Sequence, residues 1–350
     1  MNDTIPMAEP QLNKEPQDIV VLGAGTWGIT LATVLAENNH RVRSWDIDAE
    51  LVERLDRERV HARLKDFKVH PSIAMITDLG EALEGATACV MVAPSHAMRK
   101  ACESIKATGR YKSIRQWIIC TKGIEQGSDM LMHEVLADVL GPEAGAGTCV
   151  LSGPSHAEEV SRRIPTMLVA SAANMELATM IQPWFFRPYL RIYTHDDMRG
   201  VELGGSVKNV IAIAAGACDG LGMGDNTRAA LITRGLAEMV RLGLAAGARL
   251  ETFMGLSGVG DLIVTAGSRH SRNWQFGNLL AQGLSADEAL KQVGMVVEGY
   301  WTARSVCHLA ARYKVEMPIA EAVRAVLFEG LPTRKAVEGL LARDPKPEHY

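Results

Sequence analysis

Three observations predict an α/β chain whose first part is a doubly wound, mostly parallel sheet and whose second part is all helical. Between Asp18 and Thr194, seven short β-rich runs alternate with helical patterns, the order that builds parallel sheets. The first run ends in the spacing Gly23-x-Gly25-x-x-Gly28 and opens an amphipathic segment. After Val201 the apolar residues recur at helical spacing, with no β-rich run beyond a brief "DLIVT".

The runs are "DIVVLG", "RVRSW", "ACVMVA", "QWIIC", "TCVLSG", "TMLVAS" and "LRIYT". Each stops at Gly, Pro, Ser, Lys or Asp and leads into a helical stretch, so ligands belong at the carboxyl ends of the strands. The later half is broken at "GLSGVGDL", "GSRHSRN", "VVEGY" and "MP", where glycine and proline interrupt helices. This sets expected domains of 1–17 for a flexible tail, 18–200 for the sheet and 201–345 for the helices. The tail holds three prolines and no apolar core of the kind a signal peptide needs.

With 350 residues, a formal charge of -4 and 22% charged residues, the chain has room for two domains and no basic field that would suit nucleic acid. Its longest apolar runs are about ten residues, half of a membrane span. The six cysteines are widely spaced, without a CxxC pair, and read as reduced core thiols in a cytoplasmic protein. No metal-ligand spacing is present.

In "DIVVLGAGTWGITLATVLAENNHRVRSWD" the three glycines allow a tight turn, close approach of main chain to a pyrophosphate, and close helix packing. Asp46 lies at the end of the second run, where an acid can hold an adenosine ribose. Together these predict a Rossmann-type dinucleotide site that prefers NAD(H), with NADP(H) the poorer cofactor. Three more strand ends carry polar groups: Ser95 and His96, Lys122, and the group Ser152, Gly153 and Ser155. Lys122 stands directly after an apolar strand, at the ligand edge.

Lys208 sits in "GGSVKNVIAIAAGA". On a helix its neighbours would be Gly204, Gly205, Ile211 and Ala212, which offer no acid and little bulk. Glu202, Ser206 and Asn209 fall on another face. Such a lysine has space beside it for a substrate. The stretch "GLSGVGDLIVTAGSRHSRNWQFGN" adds Asp261, Thr265, Ser271, Arg272 and Asn273; a guanidinium fork beside an amide suits phosphate oxygens.

The blocks "GAGTWG", "TKG", "SGPSHAEE", "LGGSVKNVIAIAAGACDGLGMGDNTRAALITRGLAEM", "GLSGVGDL", "HSRNWQFG", "VVEGY" and "EMPI" resemble the bacterial-type NAD(P)-dependent glycerol-3-phosphate dehydrogenases, in order from about Asp18 to Pro332. The resemblance implies reversible hydride transfer between sn-glycerol 3-phosphate and dihydroxyacetone phosphate, with Lys208 as proton acceptor. It implies substrate contacts at Lys122, Gly153, Ser155, Lys208, Asp261, Ser271, Arg272 and Asn273. For the cofactor it adds Thr26, Trp27, Lys122, Ala157, Arg272, Val296 and Glu298 to Gly23, Gly25, Gly28 and Asp46. The expected partner is the small phosphorylated substrate, with a second copy of the chain as a homodimer; nucleic acid is not expected.

The chain departs from the family in two places. Many members carry His or Arg after the second strand, where this chain has "WDID", and an aromatic before Leu-Pro, where it has "HARLKDF". Two other readings fit the same residues: a related β-hydroxyacid-type dehydrogenase acting on another small substrate, and a non-catalytic dinucleotide sensor.

Overall fold

A computed structural model describes residues 15–344 and 347. The expected flexible tail therefore lies outside the described residues over 1–14. The described residues divide into two compact units, the first drawn from 1–121 and 132–201, the second from 122–131 and 202–350. The expected split after residue 200 takes no account of the segment Lys122–Leu131, which packs with the second unit.

The first unit is built on one sheet of eight strands: β1 (Asp18–Leu22), β2 (Arg41–Trp45), β3 (Ala74–Ile76), β4 (Ala88–Met91), β5 (Gln116–Ile119), β6 (Thr148–Ser152), β7 (Thr166–Ala172) and β8 (Leu190–His195). Their order is β3-β2-β1-β4-β5-β6-β7-β8. All pairs are parallel except β6 with β7, where Cys149 stands opposite Ala172 and Ser152 opposite Val169. The seven runs read from the sequence are all strands. The eighth, β3, is a three-residue edge strand of partly exposed residues, too short and too wet to show a period.

The centre of the sheet is dry. Ile19, Val20 and Val21 of β1 and Ala88 to Met91 of β4 have no exposed surface, and each fully buried aliphatic side chain contributes about 1.5–3 kcal/mol. The strand order reverses between β1 and β4, which opens a crevice at their carboxyl ends. Gly23 and the helix Thr26–Glu37 begin there.

Apart from a bridge between Ile124 and Leu131, the regular elements among the described residues of the second unit are helices. Its axis is the helix Met198–Gly220, buried without a break from Val201 to Cys218. That helix is long and apolar enough to cross a membrane by length and composition alone, but its apolar window is wholly buried inside the protein. Glu202, Ser206 and Asn209 do not face water either: each is at most 4% exposed.

Neighbouring helices approach this axis at main-chain distance. A Cβ on Gly216 would lie 1.9 Å from the Trp274 carbonyl oxygen, and one on Gly277 would lie 1.9 Å from that of Ile213. The "DLIVT" run is the helix Asp261–Gly267, not a strand. Leu262, Thr265 and Ala266, spaced three and four apart, all turn into the core, and that packing overrides the β preference of Ile263 and Val264.

Candidate active site

The glycine turn of the first unit has three distinct jobs shared among three glycines. Gly23 has φ +112°, and a Cβ there would press on the Val92 main chain at 3.2 Å. A Cβ on Gly28 would sit 1.7 Å from the Gly23 oxygen, whereas one on Gly25 would meet nothing within 4 Å. The turn is thus closed on the sheet side and open above Gly25, with the start of helix 26–37 behind it. This is the shape a pyrophosphate requires.

Asp46 fastens this turn. Its Oδ2 accepts the Ala24 N–H at 2.7 Å and its Oδ1 accepts the Asp48 N–H at 3.0 Å. Each oxygen retains a lone pair, so the carboxylate can still accept from a ribose hydroxyl. The neighbouring cations are directed elsewhere: Arg41 pairs with Asp18 at 2.6 Å, and Arg43 donates to the Glu84 carbonyl. Ile47, just after Asp46, is 81% exposed.

The remaining first-unit candidates surround other strand ends. Trp27 is part-buried against the sheet core. Gly153 follows β6 with φ +124°, and its carbonyl accepts from the Ser155 hydroxyl at 3.0 Å. Ala157 is buried at the start of a short helix, Ala157–Val160.

In the second unit, three candidates far apart in sequence converge on one carboxylate. Asp261, 1% exposed, takes Lys122 Nζ on Oδ2 at 2.7 Å and Lys208 Nζ on Oδ1. Lys208 also donates to Thr265 Oγ1 at 2.8 Å. That hydroxyl in turn donates to the Asp261 carbonyl at 2.6 Å, so it can only accept from the lysine. Two of the three Nζ bonding directions are fixed in this way, and Lys122 stands close to the same nitrogen.

The cluster is electrostatically uneven. Burial lowers the Lys208 pKa to about 7; Asp261 opposes the shift and Lys122 adds to it. Burial pushes the Asp261 carboxyl up, but the two ammonium groups outweigh it and hold the group below its ordinary range. The result is a carboxylate biased toward its charged form, holding a lysine that can exchange its proton near neutrality.

A five-residue π-helical turn, Leu256–Gly260, delivers Asp261 to this point. A Cβ on Gly258 would come within 2.1 Å of the Phe253 oxygen, so the turn requires glycine. Lys122 arrives on the segment 122–131, which is held by Gln126 donating to the Trp301 carbonyl at 2.9 Å and by Ser305 donating to the Glu125 carbonyl at 3.2 Å.

Ser271, Arg272 and Asn273 form the start of the helix Arg272–Ala281. Ser271 caps it, accepting the Trp274 N–H at 3.3 Å, and Arg272 is exposed at the first position. Asn273 is buried at the second position. Its carboxamide is committed internally, donating to Asn209 Oδ1 at 2.9 Å and accepting the Gly299 N–H at 2.8 Å. These bonds fix the carboxamide and use one of its two N–H donors, and the helix start beside it carries a positive dipole.

The same bonds join Lys208's neighbour Asn209 to Gly299, beside Glu298 at the head of helix Glu298–Tyr313; Val296 is part-buried just before it. Asn209 is the residue that sequence reasoning passed over. Its only signal was adjacency to Lys208 on a helix with no wet face. Among the described residues, no three His, Cys, Asp or Glu side chains gather as a metal site.

Comparison with known proteins agrees with this layout. The profile described as NAD-dependent glycerol-3-phosphate dehydrogenase N-terminus matches residues 18–178, and its C-terminus counterpart matches residues 197–338. The chain is 49% identical over 332 residues to glycerol-3-phosphate dehydrogenase [NAD(P)+] of Carboxydothermus hydrogenoformans, covering 94% of this chain and 98% of that one. It is 46% identical over 326 residues to the Bacillus pumilus protein of the same name, covering 93% and 94%. The crystal structure of glycerol-3-phosphate dehydrogenase from Coxiella burnetii superimposes with a TM-score of 0.88 at 38% identity, covering 94% of this chain and 99% of that one. With both halves matched and identity of this order over nearly the whole length, the chain belongs to the NAD-dependent glycerol-3-phosphate dehydrogenase family.

Proposed function

We propose that the protein interconverts sn-glycerol 3-phosphate and dihydroxyacetone phosphate with NAD(H), supplying glycerol 3-phosphate for glycerophospholipid synthesis. The observation that carries this reading is the buried Lys208, tied to Asp261 and Thr265. A secondary alcohol becomes a ketone only if its hydroxyl proton leaves, and an amine with a pKa of about 7 can take it. Gly23, Gly25 and Gly28 would hold the pyrophosphate of a nicotinamide dinucleotide, which when bound would supply or accept the hydride.

In the oxidation direction Lys208 begins neutral. Its two N–H bonds go to Asp261 and Thr265, and its lone pair receives the substrate proton. In reduction the ammonium form returns that proton to the oxygen. Asp261 stabilises the charged form in both directions and fixes the amine, which lowers the entropic part of the barrier. Lys122 adds a second positive charge on the same carboxylate, which favours a phosphorylated substrate over a neutral one. Arg272 and the adjoining helix start serve the phosphate; Gly153 and Ser155 are assigned to the substrate by the family pattern.

NAD(H) is the preferred cofactor in this proposal, by about ten-fold or more in kcat/KM, a difference of only ~1.4 kcal/mol. A 2′-phosphate would meet the Asp46 carboxylate, while Arg41 and Arg43 are engaged elsewhere. A cytoplasmic setting fits the six free cysteines, and a homodimer is the assembly to test by sedimentation. The deciding assay mixes the purified protein with dihydroxyacetone phosphate and NADH or NADPH and follows cofactor absorbance. Turnover with NADH is expected. Binding of NADH without turnover would favour the sensor, and turnover only on 3-hydroxy or 2-keto acids would favour the β-hydroxyacid reading.

A further inference from the structure

The segment Lys122–Leu131 of the second unit is a small closed hairpin. Ile124 and Leu131 form a bridge and are at most 2% exposed. Between them the Glu125 N–H donates to the Met130 carbonyl at 2.9 Å, and the Asp129 N–H donates back to the Glu125 carbonyl at 3.1 Å. Gly127 and Asp129 have positive φ, 88° and 58°, which lets so short a segment reverse its direction. Lys122 stands at the mouth of the hairpin, just before the bridge.

The hairpin is clipped to the helix Glu298–Tyr313 along one stripe. Trp301, Ser305 and His308 are spaced four and three apart, so they share a face of that helix. The Trp301 carbonyl accepts from Gln126 Nε2 at 2.9 Å, the Ser305 hydroxyl donates to the Glu125 carbonyl at 3.2 Å, and His308 Nδ1 lies 3.6 Å from Asp129 Oδ1. Ser305 has no exposed surface. The Glu125 carbonyl is thus the joint at which the clip meets the hairpin's own turn.

We propose that the hairpin 122–131 is a positioning strap, and that Ser305 and Gln126 act through it to hold the Lys122 ammonium against Asp261. The inference rests on the reading of Lys208 as proton acceptor. Two charged groups act on Lys208: Asp261, which favours its ammonium form, and Lys122, which disfavours it. When the strap is loosened, Lys122 draws back and its repulsion weakens. Asp261 is then left to Lys208 alone. Both changes stabilise the ammonium form of Lys208, so the strap keeps that lysine able to act as a base near neutrality. Ser305 and Gln126 are positioning residues, because they reach the reaction only through Lys122.

The test follows Lys208 itself, by magnetic resonance of the full chain carrying isotope-labelled lysine, with the Lys208 signal assigned by its loss in Lys208→Ala. In the parent that signal should titrate at about 7. Ser305→Ala and Gln126→Ala should each move the midpoint upward, and Lys122→Ala should move it further. Ser305→Ala should add nothing to Lys122→Ala, since it acts through that lysine. Oxidation of sn-glycerol 3-phosphate at neutral pH should fall by about three-fold or more in Ser305→Ala and recover as the pH is raised. Ser305→Thr, which keeps the hydroxyl, should stay close to the parent. Gln126 is exposed, so its variant tests the strap without disturbing the core. An unmoved midpoint in both variants, even with lower thermal stability, would mark the bonds as merely structural and overturn the inference; so would equal shifts with and without Lys122. The midpoints decide this even for a parent that binds NADH without turnover, the outcome that would remove the proposed reaction instead.

Discussion

The glycine turn of the first unit and the lysine cluster of the second are made of different material. The turn is main chain, held between Gly23 and Asp48, and its working property is space: open above Gly25, closed below Gly28. The cluster is side chain. Lys122 and Asp261 meet across 139 residues, Lys208 and Asp261 across 53, and its working property is charge. The turn is therefore broken by adding an atom and the cluster by removing one, and each failure should have its own kinetic signature.

The largest effect is expected at Lys208. Lys208→Ala should lower kcat by about 10²–10⁴-fold while NADH affinity, measured by fluorescence titration, stays close to that of the parent. Lys208→Arg should not restore it, since a guanidinium keeps its proton. If either variant turned over at the parent rate, the side-chain site would not be where the proton moves. The pH profile sharpens the point. Oxidation needs the neutral amine and should rise as pH increases through about 7; reduction needs the ammonium and should fall over the same range.

Next comes Arg272→Ala, which should raise KM for dihydroxyacetone phosphate by about 10–100-fold, the loss of one charge-assisted contact. Gly28→Ala is its counterpart in the first unit. The added methyl would sit 1.7 Å from the Gly23 oxygen; strain of about 1–3 kcal/mol should appear as a raised KM for NADH, with the pH profile unmoved. A shifted profile in Gly28→Ala would mean that the two sites are not separable in this way. The smallest effect is that of Asp46→Arg, which should move the NADH to NADPH preference toward NADPH by about ten-fold. Because Asp46 also holds Ala24, the same variant should lose some affinity for both cofactors.

The difference in material also explains what could be read in advance. The glycine turn was legible because its parts adjoin in sequence and glycine spacing reports main-chain geometry directly. Lys208 was legible by contrast, as one cation among small apolar residues. Its tie to Thr265 was not legible, since helical spacing reveals neighbours on one helix and not those brought in after a π turn. The helix at "DLIVT" was hidden for a similar reason: β-branched residues state a preference that core packing later overrules. Asn273 shows the limit from the other side, because its amide looked apt for phosphate and nothing in the spacing showed that it also joins Asn209 to Gly299.

The main-chain contacts between helices 198–220 and 272–281 bear on which substrates the protein can accept. Gly216 and Gly277 bring the helix that carries Lys208 and the helix that begins at Arg272 together without side chains between them. The span from the proposed proton acceptor to the proposed phosphate site is thus ruled by peptide groups, which cannot be shortened or swapped by ordinary substitution. A molecule one carbon longer between its carbonyl and its phosphate would not find the ruler stretched to suit it. Selection for such a homologue should stall on side-chain truncations around Lys208 and succeed, if at all, through changes at the glycines that set the helices' separation.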